Sequence, residues 1–131
     1  MAITSEQAFD LARRLRGASV KLGDYRFKNW TELTRKRREK IEGLEWDLML
    51  EAMKVTTAAV GLALDEADTS LTEVRKATAK GNSAIKALDD VRKVIAVATA
   101  LVGLAAAIAA KDPGAVAKNA KKVFAVAKGE S

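Results

Sequence analysis

The chain has 131 residues with no cysteine and no histidine, which excludes disulfide bonds, thiolate or imidazole metal ligands and histidine-dependent catalysis. We therefore expect a non-enzymatic protein without a cofactor or a metal. Its net charge of +6 belongs to the first 40 residues, which hold eleven Lys and Arg against five Asp and Glu, whereas residues 41–131 are neutral.

The composition predicts an all-α protein, because a single proline and few aromatic residues accompany many strong helix formers. A chain of this length fits one domain. Glu6 and Asp10 interrupt the apolar positions near its start, so no secretory signal is predicted and a cytoplasmic location is the default expectation. Membrane association and non-classical export stay open as alternatives.

The first predicted helix covers residues 5–22, where apolar residues recur at helical spacing. Gly23 and Asp24 follow it as a predicted stop. The next predicted helix covers residues 29–79, with a break near residues 65–70 as an alternative, because poor helix formers are frequent there. Trp30 and Trp46 are expected to anchor the core.

Two hairpin designs compete for the middle of the chain, one with its turn at residues 81–83 and one with its turn near Asp68. A turn at residues 81–83 places the two least charged segments, 55–64 and 94–110, side by side. A turn near Asp68 instead leaves residues 94–110 facing charged positions. We therefore favour the turn at residues 81–83.

The predicted helix over residues 83–110 contains the most unusual stretch, seventeen uncharged residues at 94–110. On a helical wheel its large residues and its small residues lie on different faces. At about 1.5 Å per residue the stretch spans about 26 Å, less than the roughly 30 Å hydrocarbon core of a bilayer. A buried bundle helix is therefore favoured over a stable membrane span. The large face contains Val94, Val97, Leu101, Leu104 and Ile108, and the small-residue stripe contains Ala96, Ala100, Gly103 and Ala107.

Pro113 ends this helix, and the last predicted helix, residues 114–128, is basic and amphipathic. Together the elements predict an elongated all-α helical bundle. It is built on a long antiparallel helical hairpin, with a short flanking helix at each end.

The small-residue stripe is predicted to contact another helix closely, together with Gly61 of the facing segment. A single hairpin cannot bury every face of the helix at residues 83–110, so we expect a second copy of the chain or a helical partner to cover the stripe. Another helix of the same chain and lipid are the alternatives. The predicted function is therefore structural or interaction-based, with self-association through the Ala/Gly-rich hairpin. The alternative is a membrane-active protein of the pore-forming or permeabilising kind, which inserts residues 94–110.

Residues 34–40 carry five positive charges. In the functional interpretation, Arg35, Arg38 and Lys40 are predicted to contact an anionic surface, such as a membrane with acidic lipids. The charges point in nearly every direction around a helix, so sequence-specific recognition of nucleic acid is not expected. The residues favour a solvated helix, in which Arg37 pairs with Asp10 or Glu6, over this functional interpretation.

Overall fold

The computed structural model describes residues 4–64, 71–87 and 90–128. These residues form six helices and no strand, which confirms the all-α prediction. The helices are α1 (Ser5–Lys28), α2 (Arg35–Met53), α3 (Thr57–Leu64), α4 (Leu71–Ala87), α5 (Val91–Ala109) and α6 (Pro113–Ala127).

Short polar side chains determine where most of these helices begin. Each accepts a hydrogen bond from a backbone N–H two or three residues further on, which satisfies a donor that the first helical turn leaves free. Pro113 is the first residue of α6, a position where proline's missing N–H is not needed. The capping residues are Thr4, Thr34, Thr56, Asp90 and Asp112.

Helix α1 continues past Gly23 and ends at Lys28, so the predicted boundary at residue 22 is wrong. Gly23 is buried, and a Cβ there would lie 3.0 Å from Oε1 of Glu45 in α2. Tyr25, two residues further on, is also buried. Gly23 therefore serves close approach of α2, and the packing of this turn outweighs the low helix propensity of glycine.

The single helix predicted over residues 29–79 is also wrong, because the chain turns at residues 29–34 and again at residues 54–56. Asn29 donates a side-chain hydrogen bond to the Tyr25 carbonyl at the end of α1, and Thr34 and Thr56 cap the helices that follow. These local bonds compete with helix continuation. The break considered near residues 65–70 lies outside the described residues.

The turn favoured at residues 81–83 is wrong, because α4 runs through this segment to Ala87. Gly81 is buried against α5, where a Cβ would lie 2.9 Å from a methyl group of Leu101. The Asn82 amide donates to the Arg14 carbonyl of α1 at 3.1 Å. These two residues therefore serve packing between helices. The competing turn near Asp68 lies outside the described residues, and shorter helices replace the predicted long hairpin.

Helix α5 is central and contacts each of the other five helices. The five large residues predicted to share its buried face are all fully buried. The helix begins at Val91, whereas residue 83 was predicted, and it ends at Ala109. Helix α6, Pro113–Ala127, lies within one residue of its predicted bounds.

A tight turn connects α5 to α6. Lys111 adopts φ 59°, a left-handed conformation that side chains other than glycine rarely take. The N–H of Asp112 donates to the Ala107 carbonyl and that of Lys111 to the Ile108 carbonyl, which is the hydrogen-bond arrangement of a Schellman C-cap. The turn folds α6 back along α5.

Candidate interaction surface

The structure places the small-residue stripe against helices of the same chain. Ala100 and Ala107 are buried, and Ala96 and Gly103 are half-buried. A Cβ on Gly103 would lie only 2.5 Å from Oδ1 of Asn119 in α6, and the Asn119 amide donates to the Ala115 carbonyl. Helix α6 thus lies over the stripe at Gly103, and a second copy could reach this point only if α6 moved away.

Gly61 is separate from the other four residues in sequence, but its helix α3 contacts α5. It is half-buried, and a Cβ there would have nothing within 4 Å. Gly61 is therefore not a point of close helix approach within the chain. The role of these five residues in self-association stays a prediction.

Large apolar side chains are exposed elsewhere, on the pair of helices α1 and α2. These helices are antiparallel, since Ser19 contacts Glu45, Arg26 contacts Glu42 and residues near both distal ends line one cleft. Of the exposed large apolar residues in the described part of the chain, all but Leu62 of α3 lie on α1, on α2 or in the turn between them. They are Phe9, Val20, Phe27, Trp30, Trp46, Met49, Leu50 and Met53.

Four of these side chains form a continuous stripe on α2, which we call the α2 outer stripe: Trp46, Met49, Leu50 and Met53. Their spacing of three, four and seven residues places them on one helix face. Trp46 is 60% exposed, Leu50 53% and Met53 74%. The opposite side of α2 carries the buried residues Ile41, Leu44, Leu48 and Ala52. Helix α2 is therefore apolar on two sides, and only one of them faces the core.

The outer stripe continues onto the beginning of α1. Phe9 and Met53 line a cleft of about 340 Å³ between the first turns of α1 and the last turn of α2. The Arg16 guanidinium lies over the Phe9 ring at 5.6 Å. Val20 and Phe27 follow Phe9 by eleven and eighteen residues, which keeps them on the same outward face of α1.

Aromatic rings and guanidiniums meet at the other end of the helix pair, in a cluster that we call the aromatic–arginine corner: Arg26, Phe27, Trp30 and Arg38. The Phe27 and Trp30 rings stack with centroids 6.0 Å apart. Arg26 lies 4.7 Å from the Phe27 centroid and Arg38 4.4 Å from the Trp30 centroid, within the range of cation–π attraction.

Glu45 holds Arg26 in this corner, because its carboxylate accepts a 2.7 Å hydrogen bond from Nε of Arg26. Glu42 adds a second carboxylate at 3.6 Å. The hydrogen bond with Glu45 raises the pKa of Arg26 despite its partial burial. The guanidinium therefore stays charged, and it connects α1 to α2 beside the two rings.

The three residues predicted to contact an anionic surface lie at this end of α2. Arg38 belongs to the corner. Arg35 is exposed and pairs with Glu39 at 3.1 Å, and Lys40 is exposed. Arg35 and Arg38 line one cleft of about 290 Å³ beside Trp30, whereas Lys40 is not among its lining residues.

Arg37 does not form the ion pair considered for it with Asp10. Arg37 is exposed, and Asp10 instead binds Arg13 and Arg14 of its own helix and Arg75 of α4. Hydrogen bonds from Arg14 and then Arg13 lower the pKa of Asp10, with the charge of Arg75 contributing less. Asp10 thus stabilises the contact between α1 and α4.

Two further observations on the described residues concern metal binding and membrane crossing. Within residues 4–64, 71–87 and 90–128, Asp and Glu side chains form no group of three that could hold a metal ion. By length and composition alone, helix α5 is long and apolar enough to cross a membrane, but the core helices of soluble proteins meet the same criterion. Half of its apolar stretch is buried inside the chain.

The α2 outer stripe was not predicted as a surface. Trp30 and Trp46 were expected in the core, which is wrong, since both are exposed. Core and surface stripes have the same helical period, so periodicity alone does not separate them. One sign was present in the sequence: residues 41–53 carry more apolar positions than one helix face can hold.

No protein-family model, no curated protein and no solved structure matches this chain.

Proposed function

We propose that this chain is a non-enzymatic interaction protein that self-associates through the α2 outer stripe. One observation carries the proposal: four large apolar side chains are exposed in an uninterrupted row on the side of α2 that faces away from the core. A contiguous exposed apolar patch on a water-soluble surface marks a contact site. The sequence also predicts self-association, but through the small-residue stripe, whereas we propose the α2 outer stripe as the contact surface.

The charges beside the stripe favour a second copy of this chain as the occupant. Asp47 and Lys54 are exposed and seven residues apart, so they lie on one flank of the stripe. In an antiparallel pair of α2 helices centred near Leu50, each Asp47 lies beside Lys54 of the second copy. Trp46 then lies opposite Met53 of the second copy. This arrangement buries both stripes and brings each Lys54, which pairs with Glu51 of its own chain at 3.4 Å, beside a second carboxylate.

Helix α1 is less suitable as the centre of the contact. Its outward face carries Phe9, Val20 and Phe27, but the exposed side chains of Arg13 and Arg16 interrupt them. Two copies of this face would bring arginines together, which is unfavourable. The uncharged row on α2 has no such conflict.

The expected affinity is modest. Each side chain of the stripe is already partly buried, so dimerisation gains only part of the roughly 1.5–3 kcal/mol that full burial contributes, and association costs about 4–15 kcal/mol in lost freedom of motion. We expect a dimer with a Kd of roughly 10–100 µM. Light scattering after size exclusion, with samples loaded from about ten times below to ten times above this range, measures the mass directly.

The variant Leu50→Lys tests the stripe, and Leu62→Lys is its matched control. Leu50 is 53% exposed and Leu62 is 58% exposed, so both changes replace an exposed leucine by the same cation without opening a core cavity. We expect Leu50→Lys to stay monomeric and Leu62→Lys to dimerise as the wild type does. A wild-type monomer throughout, or equal loss in both variants, contradicts the proposal.

Charge exchange tests the antiparallel arrangement. Asp47→Lys and Lys54→Asp each create two like-charge contacts in a homodimer, so each variant alone should dimerise more weakly. When the two variants are mixed in equal amounts, every flank contact in the heterodimer joins opposite charges. The heterodimer should therefore predominate in native mass spectrometry. A statistical mixture of dimers would show that these flanks do not meet.

Membrane insertion of residues 94–110 has less support. The length and apolar composition of α5 favour it. Against it, insertion would have to expose Val94, Leu101 and Ile108, which are fully buried within the chain. Leakage of a dye from vesicles would indicate insertion.

A further inference from the structure

The end of the helix pair that contains the aromatic–arginine corner is strongly basic. Residues 26–40 include seven Lys and Arg against two Glu. This segment covers the last turn of α1, the connecting turn and the first turns of α2, so its charges gather at one end of the antiparallel pair. Lys28, Arg35, Lys36, Arg37 and Lys40 are all exposed.

Two aromatic residues lie within this basic end, since Phe27 and Trp30 are both exposed. Arg26 and Arg38 lie over their rings, and the rings stack on each other. Tryptophan and phenylalanine beside lysine and arginine are typical of segments at a lipid–water boundary, where rings enter the headgroup region and cations meet lipid phosphates.

We infer that this end of the α1–α2 pair docks on the surface of a bilayer that contains anionic phospholipid. The cations surround the end of the pair and do not form a single row along its side, which suits end-on approach to a flat negative surface. Electrostatic attraction supplies the long-range contribution, and insertion of the Phe27 and Trp30 rings supplies the short-range one.

The geometry favours lipid over a nucleic-acid strand. Single strands bind by stacking bases on the flat faces of aromatic side chains. Here the Phe27 and Trp30 rings stack on each other, and Arg26 and Arg38 lie over faces that a base would use. Insertion of rings into a headgroup layer does not need those faces to be free.

Docking is separable from the proposed self-association. Arg35 and Met53 lie eighteen residues apart on α2, which is about 27 Å along the helix. The Leu50→Lys variant leaves the basic end unchanged, so we expect it to bind vesicles as the wild type does. Failure of one proposal therefore leaves the other standing.

Sedimentation with sucrose-loaded vesicles tests the inference. One vesicle set contains phosphatidylcholine alone, and the other contains about 30% phosphatidylserine. We expect binding to the anionic set to be at least about tenfold stronger, and to weaken as salt is raised. Equal binding to both sets, or no binding to the anionic set at low salt, overturns the inference.

Two pairs of charge reversals locate the contact. Lys36→Glu with Lys40→Glu changes the basic end, whereas Lys118→Glu with Lys121→Glu makes the same charge change at exposed positions of α6. We expect the first pair to lose vesicle binding about tenfold or more and the second to lose about threefold or less. Equal losses would show that net charge alone attracts the chain, which overturns the inference.

Tryptophan fluorescence tests ring insertion. We expect the emission to shift to shorter wavelength when anionic vesicles are added, and the variant Trp30→Phe to lose this shift. A shift that persists in Trp30→Phe contradicts insertion at the corner. A labelled single-stranded oligonucleotide that binds in the absence of vesicle binding, and loses affinity in Lys36→Glu with Lys40→Glu, would assign the site to nucleic acid and overturn the inference.

Discussion

The small-residue stripe of α5 and the α2 outer stripe differ in what covers them: helices of the same chain pack on the first, and the second is exposed. On α5, glycine lets a neighbouring helix of the same chain approach, with Asn119 of α6 over Gly103. On α2, large side chains remain exposed. Small residues on a helix therefore indicate close packing but do not show whether the neighbouring helix belongs to the same chain. Exposed large apolar residues, by contrast, indicate contact with another molecule.

The largest expected effect comes from the buried side of this comparison. Leu101 is fully buried in α5, so Leu101→Ala should lower the free energy of unfolding by about 2–5 kcal/mol through lost contacts and a cavity. Leu62→Ala, at an exposed position, should change it by less than about 0.5 kcal/mol. Urea denaturation monitored by circular dichroism measures both. Similar losses would mean that α5 is not the centre of the core.

Glycine positions sharpen the contrast between covered and open sites. Gly103→Leu would force a side chain into the space that Asn119 occupies, and overpacking of this kind costs about 1–3 kcal/mol. Gly61→Leu adds the same side chain where nothing lies within 4 Å of a Cβ, so we expect stability to be unchanged or slightly higher. Equal stability of the two variants would contradict the contact between α5 and α6.

The turn between α5 and α6 offers a stabilising change. Lys111 holds φ 59°, a conformation that glycine adopts without steric cost. Lys111→Gly should therefore raise the free energy of unfolding by about 0.5–1 kcal/mol, whereas Lys111→Ala should not raise it. A destabilising effect of Lys111→Gly in the same denaturation assay would argue against the Schellman turn.

The ion pairs of Asp10 give a smaller, pH-dependent effect. Its folded-state pKa is lowered from the ordinary value of 3.8, so its contribution is complete above that value. The contribution disappears as the pH falls through the lower folded-state pKa. Asp10→Asn should cost up to about 1 kcal/mol at pH 7, because the site lies near the surface, and the difference from wild type should shrink by pH 3. A difference that grows on acidification would contradict this.

Part of the fold could be predicted because it depends on local chemistry and period. The row of large residues from Val94 to Ile108 identifies the buried face of α5, and Pro113 identifies the boundary between α5 and α6. The sequence predicts a helix stop at Gly23 and a turn at Gly81, but both glycines serve close packing. That use depends on which helix lies opposite, which local signals do not contain.

Of the candidate surfaces, one could be predicted from the sequence and the other could not. The basic segment at residues 34–40 could be recognised from composition, and its neighbours Phe27 and Trp30 are adjacent in sequence. The exposure of Trp46 could not be predicted, because α2 has apolar residues on two sides. Only the packing of α1 and α5 against α2 determines which side is buried.

Single-cysteine cross-linking tests most directly whether the α2 outer stripe joins two copies. The chain has no cysteine, so Leu50→Cys introduces the only thiol, close to the two-fold axis of the proposed pair. A disulfide forms readily only when the two Cα atoms lie within about 7 Å. Leu62→Cys on α3 is the control. We expect rapid formation of covalent dimers by Leu50→Cys and slow formation by Leu62→Cys, and equal rates for the two variants would contradict the account.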